Sequence, residues 1–203
     1  MKSNMSEESR IKWRHFLSGD NDAYKWLYKT YVQILYSYGR RFTSNTEIIK
    51  DCIQEVFIAI YKSRNKLSVP DNIKLYLLVS LKNKLIRSLQ KKTLHTNYKS
   101  DDKETLFILE KTVEDEYIEN EEYLQQKKKV DEIFAILTPR QKEIIYYRYI
   151  QELDLKEICE LMDINYQSAK NLIQRSLDKI RDNYSSSFDT FLLFLFLSNN
   201  MPE

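Results

Sequence analysis

Only two glycines and three prolines punctuate 203 residues, and this scarcity of turn chemistry most constrains the fold. Strand-rich chains need frequent Gly, Pro and Asn-Gly turns, whereas helices joined by a few short breaks do not. Apolar residues recur at spacings of three and four along most of the sequence, the period of an amphipathic helix. Hydrophobic residues make up 42% and charged residues 31%, so there is core material for all-α domains with solvated outer faces.

The breaks divide the chain into helices. Ser6 to Leu17 reads as the first, closed by Ser18-Gly19-Asp20. The second runs from about Asn21 to Tyr38, and Gly39 ends it or weakens its last turn. The third is capped at Ser44 or Asn45 and runs to Lys62. Pro70 forbids a helix through the following loop, and Asp71 or Asn72 starts a fourth that reaches about Lys92. A further helix is expected from about Glu121 to Leu137. Thr138-Pro139-Arg140-Gln141 marks the next start, since Thr can cap, Pro fits the first helical position and Gln can complete a capping box. That helix is expected to reach Tyr149. Leu155 to Met162, a turn at Asp163-Ile164-Asn165, and Tyr166 to about Asn183 form a helix-turn-helix candidate.

Charge is distributed unevenly beneath a net +2. Residues 1–92 hold 18 Lys and Arg against 8 Asp and Glu, net +10; residues 93–123 are net −7; residues 124–203 are net −1. The division expected is a basic helical domain at 1–92, an acidic linker at 93–120, a second helical domain at 121–184 and an apolar tail at 185–203. The basic part suits a polyanion. The linker contains the apolar patch Leu106-Phe107-Ile108-Leu109, a candidate for docking. The longest apolar run, Phe191 to Leu197, is far shorter than the roughly 20 residues needed to cross a bilayer. The tail is therefore expected to pack on protein, within its own domain or as a fold-back between domains. The N-terminus carries no signal-peptide pattern, so a cytoplasmic protein with no direct membrane insertion is the expectation.

Three surfaces carry the functional argument. On the third helix, Asp51, Gln54, Glu55 and Ile58 share the face opposite the apolar stripe of Ile49, Cys52, Ile53, Val56, Phe57 and Ile60. Carboxylates, an amide and a large aliphatic residue in one row suggest a protein-docking surface. On the fourth helix, Lys82, Asn83, Arg87 and Lys91 accompany Tyr76, and cations beside an aromatic suit phosphates and unstacked bases. At the start of the last helix, Gln167, Ser168, Lys170, Asn171, Gln174 and Arg175 lie on the outer side. In a major-groove helix these positions reach base edges, with Gln and Asn suited to adenine and Arg to guanine. No Ser-His-Asp set, His-carboxylate cluster, phosphate loop or metal-ligand spacing occurs, so neither an enzyme, a metal nor a cofactor is expected. Cys52 and Cys159 lie on apolar stripes and read as reduced thiols.

Asp51-x-x-Gln54-Glu55-x-Phe57, Leu137-Thr138-Pro139-Arg140-Gln141, and Glu157-Ile158-Cys159 with Ser168-Ala169-Lys170, in this order, resemble the extracytoplasmic-function (ECF) sigma factors of the sigma-70 family. The likeness covers about residues 10–92 and 125–184. It implies a region 2 whose Asp51, Gln54, Glu55 and Ile58 grip the clamp of core RNA polymerase. Tyr76, Lys82, Asn83, Arg87 and Lys91, with the loop from Ser68 to Asn72, would then meet the minus-ten element and its melted strand. It further implies a region 4 whose Gln167, Ser168, Lys170, Asn171, Gln174 and Arg175 face the minus-thirty-five element, a linker directed toward the RNA path, and control by an anti-sigma factor, often membrane-anchored. The family usually has a Trp near Tyr76 and a Gly in place of Asp163. The alternative is a helix-turn-helix regulator that binds promoter DNA without polymerase, which leaves the Asp51-Gln54-Glu55 face unexplained.

Overall fold

The computed structural model of the chain describes residues 2–94, 107, 132 and 134–183. It divides into two compact units, Met1–Lys103 and Glu104–Glu203. The described secondary structure is helical throughout. The apolar run at 191–197 and the expected helix from 121 to 131 lie outside the described residues.

The first unit packs four helices, α1 (Lys2–Leu17), α2 (Asn21–Gly39), α3 (Thr46–Lys62) and α4 (Ile73–Leu94). Helix α1 begins earlier than its apolar periodicity indicates, because nothing in Lys2 to Met5 breaks a helix. Gly19, at φ 107, makes the left-handed turn that ends α1, and the Asp20 carboxylate then accepts from the amides of Asp22 and Ala23 to cap α2. Those two hydrogen bonds, Ala23 foremost, hold the Asp20 carboxyl below its ordinary pKa. Asn45 caps α3 through the Ile48 amide, and Asn72 caps α4 through the Leu75 amide. The apolar stripes meet in a core of Trp13, Phe16, Leu27, Leu35, Tyr38, Ile49, Leu77, Leu78 and Leu81. Two tyrosine hydroxyls of this unit are paired: that of Tyr31 donates to Ser9 Oγ at 2.7 Å, and that of Tyr24 to the Phe57 carbonyl at 3.0 Å. Cys52 is buried and Cys159 half-buried, and both are free thiols.

Gly39 is a packing requirement as well as a helix end. A β-carbon there would stand 2.6 Å from Ile49 Cγ2, so its absence lets α2 approach α3.

In the second unit, α5 (Pro139–Ile145) starts with the expected capping box between Thr138 and Gln141. Its continuation differs from expectation. Residues Tyr146–Ile150 form a π turn, closed by the Gln151 amide donating to the Tyr146 carbonyl at 2.9 Å, five residues back. Helix α6 (Leu155–Met162) has a second capping box, Asp154 with Glu157. Helix α7 (Tyr166–Asn183) follows after the turn, with Asn165 accepting from the Ser168 amide at 2.8 Å. Ala169 on α7 has no exposed surface. Ser176 and Ile180 continue that buried line, while Leu172, Ile173 and Leu177 are only half-buried. On α6, Leu161 joins Ile158 and Met162 in the core, and Cys159 lies at its margin.

Phe107, from the segment read as linker, is buried in this unit, its ring 5.5 Å from Tyr146 and 6.0 Å from Tyr147. Burying a Phe side chain stabilises by about 1.5–3 kcal/mol, comparable to the cost of ordering one residue.

Two outcomes test this packing. Asp163 holds φ 52, a left-handed conformation in which a β-branched residue is strained. Asp163→Val should destabilise the second unit by about 1–2 kcal/mol in thermal unfolding, whereas Asp163→Gly should leave it equally or more stable. Gly39→Ala should cost the first unit about 1–3 kcal/mol. Adding Ile49→Ala should return part of that loss, so the double variant should be more stable than the sum of the single effects implies.

Candidate functional site

Each of the three rows foreseen in the sequence has a defined position on its helix. On α3, Asp51, Gln54, Glu55 and Ile58 are all exposed, with Ile58 at 41%. The buried stripe of Ile49, Cys52, Ile53, Val56, Phe57 and Ile60 lies opposite. Glu55 is not simply solvated: Lys84 of α4 reaches it at 2.6 Å. Both partners are more than a third exposed, so the pair contributes at most about 1 kcal/mol and is readily exchanged for another cation. The row extends further than sequence reasoning found. Tyr61, 44% exposed, follows Ile58 by three residues, and Tyr28, 41% exposed, stands edge-on to Phe57 at 4.9 Å. Tyr24 joins Tyr61 at 5.1 Å, and Arg64 lies 5.7 Å from the Tyr61 ring. The signal for Tyr61 was its three-residue spacing from Ile58, whereas Tyr24 and Tyr28 belong to α2 and reach this area through tertiary packing.

On α4, Tyr76, Asn83 and Arg87 recur at spacings of seven and four, and with Lys91 they form one stripe along the helix. Asn83, Arg87 and Lys91 are exposed, and Tyr76 is half-buried. Lys82 lies apart, about 120° around the helix from Tyr76, so the structure does not bring all five residues together. Tyr76 stands edge-on to Trp13 at 5.5 Å. Burial raises its phenol pKa, and the Ser80 hydroxyl partly offsets that. Trp13 also donates its indole N–H to the Ser68 carbonyl at 3.1 Å. One buried residue of α1 therefore fixes both the loop ahead of α4 and the aromatic at the head of its cationic stripe.

On α7, Gln167, Ser168, Lys170, Asn171, Gln174 and Arg175 are all exposed. Several of them bond along the helix. Gln167 donates to Asn171 at 2.8 Å, Gln174 to Asp178 at 2.9 Å, and Arg175 Nε to the Asn171 carbonyl at 3.2 Å. Such surface bonds compete with water and contribute little, so these groups can be redirected to base edges. Tyr166, the first residue of α7, is 60% exposed and was missed as a candidate; its place directly after the Asn165 cap was the available signal.

Among the described residues, no helix is long and apolar enough to cross a membrane.

Comparison with known proteins bears on the same two units. The family model for sigma-70 region 2 matches residues 27–94, and that for sigma-70 region 4 matches residues 127–180. No curated protein matches the chain by sequence. Among solved structures, that of CnrH in complex with the cytosolic domain of CnrY is similar, with a TM-score of 0.56 at 15% identity, covering 88% of this chain and 97% of that one. At that identity the likeness speaks for the fold alone. The two matched regions contain all three rows, in the order α3, α4, α7, and the region 4 model is the one typical of ECF members. The chain belongs to the sigma-70 family, as an ECF-type alternative sigma factor for transcription initiation.

Proposed function

We propose a division of labour between the two units: residues 1–92 bind the polymerase clamp and the minus-ten element, and residues 121–184 bind the minus-thirty-five element, with 93–120 as linker and 185–203 as an apolar tail. The observation that carries this is the exposed α3 row, which sits opposite a fully buried stripe and has no part in the core. In this reading Asp51, Gln54, Glu55 and Ile58 grip the clamp of core RNA polymerase, and Tyr28 and Tyr61 widen the apolar end of the contact. When a clamp cation meets Glu55, Lys84 is released to the DNA side of α4.

The α4 stripe meets the melted minus-ten strand. Arg87 and Lys91 neutralise phosphates, Asn83 offers hydrogen bonds, and the half-exposed ring of Tyr76 provides a stacking face held edge-on by Trp13. Lys82, off the stripe, acts through long-range charge. Helix α7 enters the major groove at the minus-thirty-five element with Gln167, Ser168, Lys170, Asn171, Gln174 and Arg175 facing the bases and backbone. Members of the sigma-70 family are regulatory subunits rather than enzymes, and we read this chain as non-catalytic and cytoplasmic, where polymerase and promoters are. CnrH was solved with the cytosolic domain of a second protein. By analogy we propose that an anti-sigma factor, membrane-anchored in its full form, holds this chain inactive.

Two experiments test the assignments. Asp51→Ala with Glu55→Ala should abolish co-elution with core RNA polymerase while leaving thermal unfolding within about 1 kcal/mol of wild type; retained co-elution would refute the α3 assignment. In footprinting on a promoter set, Gln174→Ala or Arg175→Ala should weaken upstream recognition by about 1–3 kcal/mol in a base-dependent way. Lys91→Ala should weaken all sequences alike and reduce the salt slope by about one. A uniform loss for Gln174 and Arg175 would assign them to phosphates.

A further inference from the structure

Lys84 loses its partner once a clamp cation takes Glu55, and its place on α4 offers it another. Counted from Tyr76 at about 100° per residue, Arg87 lies about 20° around α4, Lys91 about 60° and Lys84 about 80°. Lys84 therefore borders the cationic stripe, whereas Lys82 falls on its other side. The same side chain reaches α3, where its Nζ lies 2.6 Å from Oε2 of Glu55, in the row opposite the buried stripe. The two side chains are 40% and 57% exposed, so each stays open to a competing ligand. An ammonium on a flexible four-carbon stem can turn from a carboxylate to a phosphate without any movement of the backbone.

We propose that Lys84 is a shared cation that couples polymerase binding to DNA binding: Glu55 holds it in the free protein, and a phosphate of the melted minus-ten strand takes it in the holoenzyme. The inference rests on the α3 and α4 assignments above and adds a phosphate contact and a coupling to them. Breaking the Lys84–Glu55 pair is a cost that either partner meets when it binds alone. The clamp must displace Lys84 to reach Glu55, and a phosphate must draw Lys84 away from Glu55. When both bind, the pair is broken once, so each makes room for the other. By linkage the effect is reciprocal: polymerase raises the affinity for the strand by the same factor as the strand raises the affinity for polymerase. For an exposed ion pair that factor is about two- to fivefold. The coupling needs no second conformation of the helices, only the exchange of one side chain between two ligands that lie on either side of it.

The test is one substitution with two readouts of opposite sign. Lys84→Met keeps most of the stem and removes the charge. In the full chain it should tighten binding to core RNA polymerase by about two- to fivefold, because Glu55 is then free for the clamp. In the holoenzyme it should weaken binding to a fork-junction template, carrying a promoter recovered by run-off selection, and lower the salt slope by about 0.7, one single-strand phosphate contact. In a Glu55→Gln background, the gain in polymerase affinity should vanish. If that gain persists there, Lys84 acts through net charge and the shared cation is refuted. It is equally refuted if Lys84→Met moves both affinities in the same direction or leaves either unchanged, while Glu55→Gln weakens polymerase binding and Arg87→Ala weakens template binding. If instead Glu55→Gln or Arg87→Ala has no effect, the α3 or α4 assignment itself fails, and the coupling with it.

Discussion

The Trp13 side chain is the contact on which the first unit depends. It is 1% exposed, packs edge-on to Phe16 and Tyr76, and donates its indole N–H to the Ser68 carbonyl. A buried Trp contributes through both area and its single donor, and both are used here. The Trp13 bond ties the loop from Leu67 to Asn72 to α1. Asn72 then caps α4 at a fixed angle, and the Tyr76, Asn83 and Arg87 stripe takes its direction from that start. The α4 stripe of the first unit is thus positioned from α1, a helix with no functional residue assigned to it.

Side-chain caps define the described helix starts of the second unit. Helices α5, α6 and α7 each start at a side-chain cap or box: Thr138 with Gln141, Asp154 with Glu157, and Asn165 to Ser168. Each such device stabilises by about 1 kcal/mol, which matters where α5 and α6 span only 7 and 8 residues. Asp163 carries the turn in a left-handed conformation, with the Ile164 amide bonded back to Cys159. A short polar side chain tolerates that conformation better than most, which explains how Asp stands where the family usually has Gly. The exposed row on α7 owes its presentation to these ends.

The parts of this architecture that were legible in the sequence are those written in local chemistry. Helical periodicity located α2, α3, α6 and α7, and Thr138, Asn165 and Gly19 marked ends that the structure uses. The exposure of Asp51, Gln54, Glu55 and Ile58 followed from their place opposite an apolar stripe. What was not legible depends on contacts distant in sequence or on rare backbone geometry. Lys84 meeting Glu55 and Trp13 meeting Ser68 join residues 29 and 55 apart. The π turn has no propensity signature, since it arises from how Tyr146 and Tyr147 fit their surroundings rather than from their intrinsic preference. The patch at Leu106 to Leu109 announced a docking segment without its site; of its residues Phe107 is described, and it is buried against Tyr146 and Tyr147.

The central claim is that α3 recruits core polymerase while α4 and α7 select the promoter. Run-off transcription with purified core RNA polymerase and a library of promoter-length templates measures this directly. The account predicts transcripts from a specific subset of templates, started at a fixed distance from two short elements, and only when this protein is added. Tight binding of duplex DNA by the protein alone, with no protein-dependent transcript from any template, would contradict it.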